Sequence, residues 1–110
     1  MKQYVVDELR PDDYQKIKEY MHDHFNSSDV YHIYRIPLKD EYLTTVQAEH
    51  AECGPFYFGV ELEPDRLTCE LLVRSEERIR CDCIRYANEI QRNWLIQHLD
   101  SIFEQLQIIV

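Results

Sequence analysis

Between Phe56 and Cys83 the sequence alternates in polarity with a period of two, a pattern that suits a pleated strand and not a helix. Phe56, Phe58, Val60 and Leu62 alternate with Tyr57, Gly59, Glu61 and Glu63. Beyond Pro64-Asp65, Leu67, Cys69, Leu71 and Val73 alternate with Arg66, Thr68, Glu70 and Leu72. A two-residue turn at Pro64-Asp65 sets Leu62 opposite Leu67 and Val60 opposite Cys69, so both apolar sets fall on one side. After a loop around Ser75-Glu76-Glu77, Ile79, Cys81 and Cys83 alternate with Arg80 and Asp82. The expectation is a three-strand antiparallel meander with one buried face. In that register Cys69 lies opposite Cys81 or Cys83.

The flanking segments supply the second layer. Tyr4 to Leu9 reads as a short strand. Pro11 opens a helix, with Asp12 and Asp13 at its positive end and a stripe of Tyr14, Ile17, Met21 and Phe25. Asn26-Ser27-Ser28-Asp29 reads as a polar loop, and Val30 to Ile36 as a second strand ended by Pro37. Thr44 with Gln47 and Asn88 with Gln91 match capping boxes. The first predicts a short helix over Thr45 to Glu52, closed by Gly54-Pro55. The second opens a long helix with Ile90, Trp94, Leu95, Leu99, Ile102, Phe103 and Leu106 on one stripe. The order is β-α-β-α-β-β-β-α, and it predicts a single two-layer α+β domain over residues 1–110. Its mostly antiparallel sheet carries helices packed on one face.

Charge narrows the functional classes. The chain has 21 acidic residues against 12 Lys and Arg, a formal net charge of −9. Nucleic-acid binding is disfavoured, because a phosphate backbone is ordinarily met by clustered bases. The longest aliphatic runs are three residues, as in Leu71-Leu72-Val73 and Ile108-Ile109-Val110, so no membrane span is expected. No apolar stretch of signal-peptide length follows Met1. The four cysteines then suit a reducing, cytoplasmic setting as free thiols. Glycines only at 54 and 59 exclude a Gly-rich phosphate loop.

The cysteines are the richest source of chemistry. His50 and Cys53, spaced H-x2-C before Gly54-Pro55, join Cys81-x-Cys83 as a possible tetrahedral zinc set. Against this, buried cysteine is a small hydrophobe common in strands, and alternation alone puts Cys81 and Cys83 on one face. That plain reading takes precedence at this level. A redox pair is less favoured, because alternation points Arg80 away from Cys81 and Cys83. Tyr31, His32, Tyr34 and His50 are the residues from which a small enzyme would draw acid–base groups, but no third group is fixed beside them. Tyr57, Arg66, Arg74 and Arg80 form a candidate binding patch, interleaved with enough acids to read equally well as a solvated sheet face.

The leading expectation is therefore a small soluble interaction or ligand-binding module, without evident catalysis or cofactor. The apolar end Ile108-Ile109-Val110 either docks on the domain or joins a subunit interface, and with the open strand edges it leads to an expectation of self-association as a homodimer. A structural zinc protein using His50, Cys53, Cys81 and Cys83 is the first alternative, and a Tyr/His enzyme the second. The small-molecule ligand, if one exists, has no signature in the sequence.

Overall fold

The hairpin is where the sequence expects it. In the computed structural model, which describes residues 2–25 and 32–109, β3 (Phe56–Glu63) and β4 (Arg66–Ser75) pair antiparallel. Val60 faces Cys69 and Leu62 faces Leu67. The register then shifts: Phe58 faces Val73, so Gly59 alone spans the stretch of Glu70, Leu71 and Leu72. This bulge brings the Glu70 carboxylate over Gly59, where an added Cβ would lie 2.6 Å from Oε1. Arg74 then closes on Glu70 with two N–H donors, at 3.1 and 2.8 Å.

Among the described residues, three further strands join this antiparallel sheet. β1 (Gln3–Val6) pairs with residues 67–70 of β4, and β2 (Ile33–Pro37) pairs with β3. β5 is only Arg85–Tyr86, and it joins β4 at Leu72 and Val73. The order is β1-β4-β3-β2, with β5 beyond β1 on the same edge of β4. Among the described residues three α-helices supply the second layer: α1 (Pro11–His24), α2 (Thr45–Glu49) and α3 (Glu89–Gln105). Ile17 and Met21 of α1 and Leu95, Leu99 and Phe103 of α3 are sealed against Phe58, Val60, Leu67, Cys69 and Val73 of the hairpin. Each such side chain contributes about 1.5–3 kcal/mol of burial before entropy is counted. The expected two-layer α+β architecture is present.

Four local expectations need correction. β1 ends at Val6; Glu8, at φ 56, turns the chain out of the sheet. α2 stops at Glu49, and a separate 3-10 turn, Ala51–Cys53, follows it. Ile90 is 66% exposed and does not join the stripe of α3, whereas Gln91 next to it is buried. Most consequentially, Ile79 to Cys83 is not a strand. It is an irregular loop with Ile79 91% exposed, so Cys69 faces Tyr4 and Val60 rather than Cys81 or Cys83. The period-two pattern there reflects cysteines turned toward His50, as described below. Residues Asn26 to Asp29, Val30 and Tyr31 lie outside the described residues.

Candidate metal centre

Two short turns bring four ligand-type side chains together. The first follows α2, where the N–H of Cys53 donates to the carbonyl of His50 at 2.9 Å. This single 3-10 turn sets His50 and Cys53 on the same side. The second is formed by Cys81 to Ile84, whose N–H donates to the Cys81 carbonyl at 3.0 Å. In a turn, unlike a strand, thiols two residues apart converge without help from a sheet. C-x-C is therefore a sound ligand spacing here, against the sequence-based preference for core packing.

The geometry is that of a four-ligand cage. The ligand atoms of His50, Cys53, Cys81 and Cys83 all lie within 4.8 Å of one another. Cys81 Sγ is 3.1 Å from His50 Nδ1, Cys53 Sγ is 4.0 Å from the same nitrogen, and Cys53 Sγ is 3.9 Å from Cys81 Sγ. A tetrahedron with Zn–S of ~2.3 Å and Zn–N of ~2.0–2.1 Å has edges of roughly 3.8 Å between sulfurs and roughly 3.5 Å between sulfur and nitrogen. The S–S separation of 3.9 Å is close to the first value, and the S–N separations of 3.1 and 4.0 Å bracket the second. Cys53 and Cys83 are buried, while Cys81 and His50 are partly exposed and form the outer side.

The protonation pattern suits capture of a cation. The Cys81 thiol is pulled down to about 7, first by the backbone N–H of Cys83 and its thiol, with Cys53 and His50 adding to the effect. Cys83 is pushed up to about 12, chiefly by burial and then by sharing hydrogen bonds with Cys81 and Cys53. Cys81 thus supplies a thiolate near neutral pH, and a bound cation would draw the proton from Cys83. Cys69, the fourth cysteine, stands apart as a core residue whose thiol burial pushes up to about 12.

A polar frame fixes both turns from behind. Ser75 Oγ donates to the Cys53 carbonyl and accepts the N–H groups of Glu77 and Arg78 at 3.1 and 3.0 Å. It thereby ties the first ligand turn to the root of the loop carrying the second. Gln47 Nε2 donates to the Cys83 carbonyl at 3.2 Å, while its Oε1 accepts from the N–H of Thr44 at 3.0 Å and from Gln91 Nε2 at 2.9 Å. Gln91 Nε2 also reaches the carbonyl of Tyr42 at 2.9 Å. Gln47 and Gln91 are each 1% exposed. The same two glutamines that cap α2 and α3 thus link both helices to the Cys81–Cys83 turn. Sequence reasoning found them as caps and missed this second role. The available signal was a capping glutamine adjoining a ligand segment.

The other candidate residues fare differently. Tyr34 is 2% exposed within the core, where burial raises its hydroxyl pKa, and His50 belongs to the cysteine cage. Tyr31 lies outside the described residues, His32 is partly exposed and accepts the Leu62 N–H at its carbonyl at 3.0 Å, and of the described members of that acid–base set His50 alone belongs to the cage. Tyr57 and Arg74 do meet as cross-strand neighbours, with the Arg35 guanidinium 5.0 Å from the Tyr57 ring. Arg66 sits at the other end of the hairpin, opposite Glu63 and 3.6 Å from Asp65. Arg80 is exposed on the loop. The four-residue patch is therefore divided between three places. No helix among the described residues is long and apolar enough to cross a membrane. Comparison with protein-family models, curated proteins and solved structures gives no match.

Proposed function

We propose that this chain is a small zinc-binding module in which the metal is structural. The observation that carries the reading is the convergence of His50, Cys53, Cys81 and Cys83 from two segments 28 or more residues apart, within a span of 4.8 Å. Three sulfurs and an imidazole nitrogen favour zinc over calcium or magnesium, which prefer oxygen donors. Four protein donors fill a tetrahedral shell, leaving no open position of the kind a catalytic zinc uses. The metal would join the turn after α2 to the loop after β4, a loop that carries exposed Arg78, Ile79 and Arg80.

Within this reading the domain is an interaction module whose loop is shaped by its metal. Self-association belongs to the same proposal: exposed Val5 and Ile109 line one cleft with Tyr4 beside the outer strand β1. Sedimentation of a strictly monomeric species at tens of micromolar would remove that part alone. The metal reading is tested by zinc content after purification without chelator. One zinc per chain is expected for the native sequence and for Cys69→Ser, and none for Cys83→Ser. A native chain that takes up no zinc from a slight excess would defeat the proposal.

A further inference from the structure

We infer that the same centre is an oxidation site, at which a hydroperoxide joins Cys53 to Cys81 as a disulfide and expels the metal. The inference rests on the zinc reading and adds regulation to it. The four cysteines differ in access: Cys53, Cys69 and Cys83 are buried, whereas Cys81 is only partly covered. Across the two turns, Cys53 Sγ and Cys81 Sγ stand 3.9 Å apart, both among the ligand atoms that lie within 4.8 Å of one another. An oxidant reaching the cage from solvent meets Cys81 first, and the thiol from the opposite turn is already within reach.

The chemistry closes in two steps. The Cys81 thiolate attacks the hydroperoxide: an S–O bond forms, the O–O bond breaks, and the leaving alkoxide takes a proton to become an alcohol, or water when the oxidant is hydrogen peroxide. The Cys53 thiolate then attacks the Cys81 sulfenic sulfur: an S–S bond forms, the S–O bond breaks, and the departing hydroxide takes a second proton as water. Two sulfurs have together lost two electrons and the peroxide has gained them. The metal is left with His50 and Cys83 alone and departs. The disulfide keeps the two turns tied, so the emptied centre retains its connection between α2 and the loop after β4.

The test uses the full zinc-loaded chain and a few equivalents of hydrogen peroxide, with released zinc followed by a chromogenic chelator. The expected result is release of one zinc per chain and a mass lower than that of the metal-free reduced chain by two hydrogens. Peptide mapping should find a cross-link between the Cys53 and Cys81 peptides, with Cys69 and Cys83 still open to alkylation after denaturation. Dithiothreitol and fresh zinc should restore the loaded form. Retained zinc, a Cys81–Cys83 link, or sulfinate without any cross-link would overturn the inference. A chain holding no zinc before peroxide is added overturns the metal reading and the expulsion step together. The cross-link map then shows separately whether the thiols pair.

Discussion

At the scale of single residues, two positions carry conditional costs. Gln107 holds φ at 59, the left-handed region, just beyond the C-terminus of α3. Its N–H donates to the Glu104 carbonyl at 3.0 Å and the N–H of Ile108 to the Phe103 carbonyl at 2.9 Å, the paired bonds of a Schellman ending. Ile108 is buried as that ending requires. A side chain in this conformation costs about 1–2 kcal/mol relative to what glycine tolerates. Gln107→Gly should therefore raise the unfolding free energy by roughly 1 kcal/mol in urea titration, after allowing for glycine's greater unfolded-state entropy. A loss of stability would mean that the Gln107 side chain contributes a contact of its own.

His98 is the second. Its ring stacks on Trp94 with centroids 5.2 Å apart and meets Phe25 edge-on at 6.2 Å. Burial, with Lys39 adding repulsion, lowers its pKa. Because the folded pKa lies below the unfolded one, the stabilisation is present above the ordinary value of about 6.5 and is lost as pH falls through the folded value. Unfolding free energy of metal-free protein should decline from near neutrality toward pH 5. His98→Gln should flatten that decline while lowering stability at pH 7 through lost ring packing. An unchanged acid slope in the variant would remove His98 as its cause.

At the scale of elements, what the sequence disclosed and what it hid follow from how local each signal is. The Thr44/Gln47 and Asn88/Gln91 capping boxes both formed, because a cap depends on residues within one turn. The hairpin register formed because the turn and two apolar sets agree. The third strand failed because alternation in Ile79-Arg80-Cys81-Asp82-Cys83 has two sources, a pleated sheet or a ligand turn, and only distant partners decide between them. The four cage residues were legible as residue types, whereas their convergence depends on Ser75 and Gln47 acting across the fold. Gln47 offers the sharpest test of that dependence. Gln47→Leu leaves the Cys83 carbonyl, the Thr44 N–H and one Gln91 N–H without their buried partner, at a cost of ~1–3 kcal/mol for each group that finds no water. It touches no metal-binding atom and reaches only the backbone carbonyl of Cys83, yet zinc affinity should fall roughly 10–100-fold in competition with a chelator, as losses behind a metal's ligands typically do. Equal affinity in the variant would mean that the Cys81–Cys83 turn is set without Gln47.

At the scale of the whole molecule, a small fold of this kind is held by a margin of about 5–15 kcal/mol. A metal at ~100 times its dissociation constant adds about 2.7 kcal/mol to that margin by mass action. The addition falls on a region the sheet does not organise, since β5 is two residues long and the loop before it lacks strand pairing. The hairpin, α1 and α3 form a core that does not include the loop's exposed face, and the cage attaches that loop to them through α2 and Gln91. The fold is held by apolar burial, and the cage residues are linked to it through the hydrogen bonds of Ser75, Gln47 and Gln91.

Zinc K-edge X-ray absorption on the loaded protein tests the donor set most directly. The account predicts a four-coordinate shell of three sulfurs at ~2.3 Å and one nitrogen at ~2.0–2.1 Å, with imidazole scattering beyond it. A shell dominated by oxygen or nitrogen, or one with fewer than three sulfurs, would contradict a metal held by Cys53, Cys81, Cys83 and His50 together.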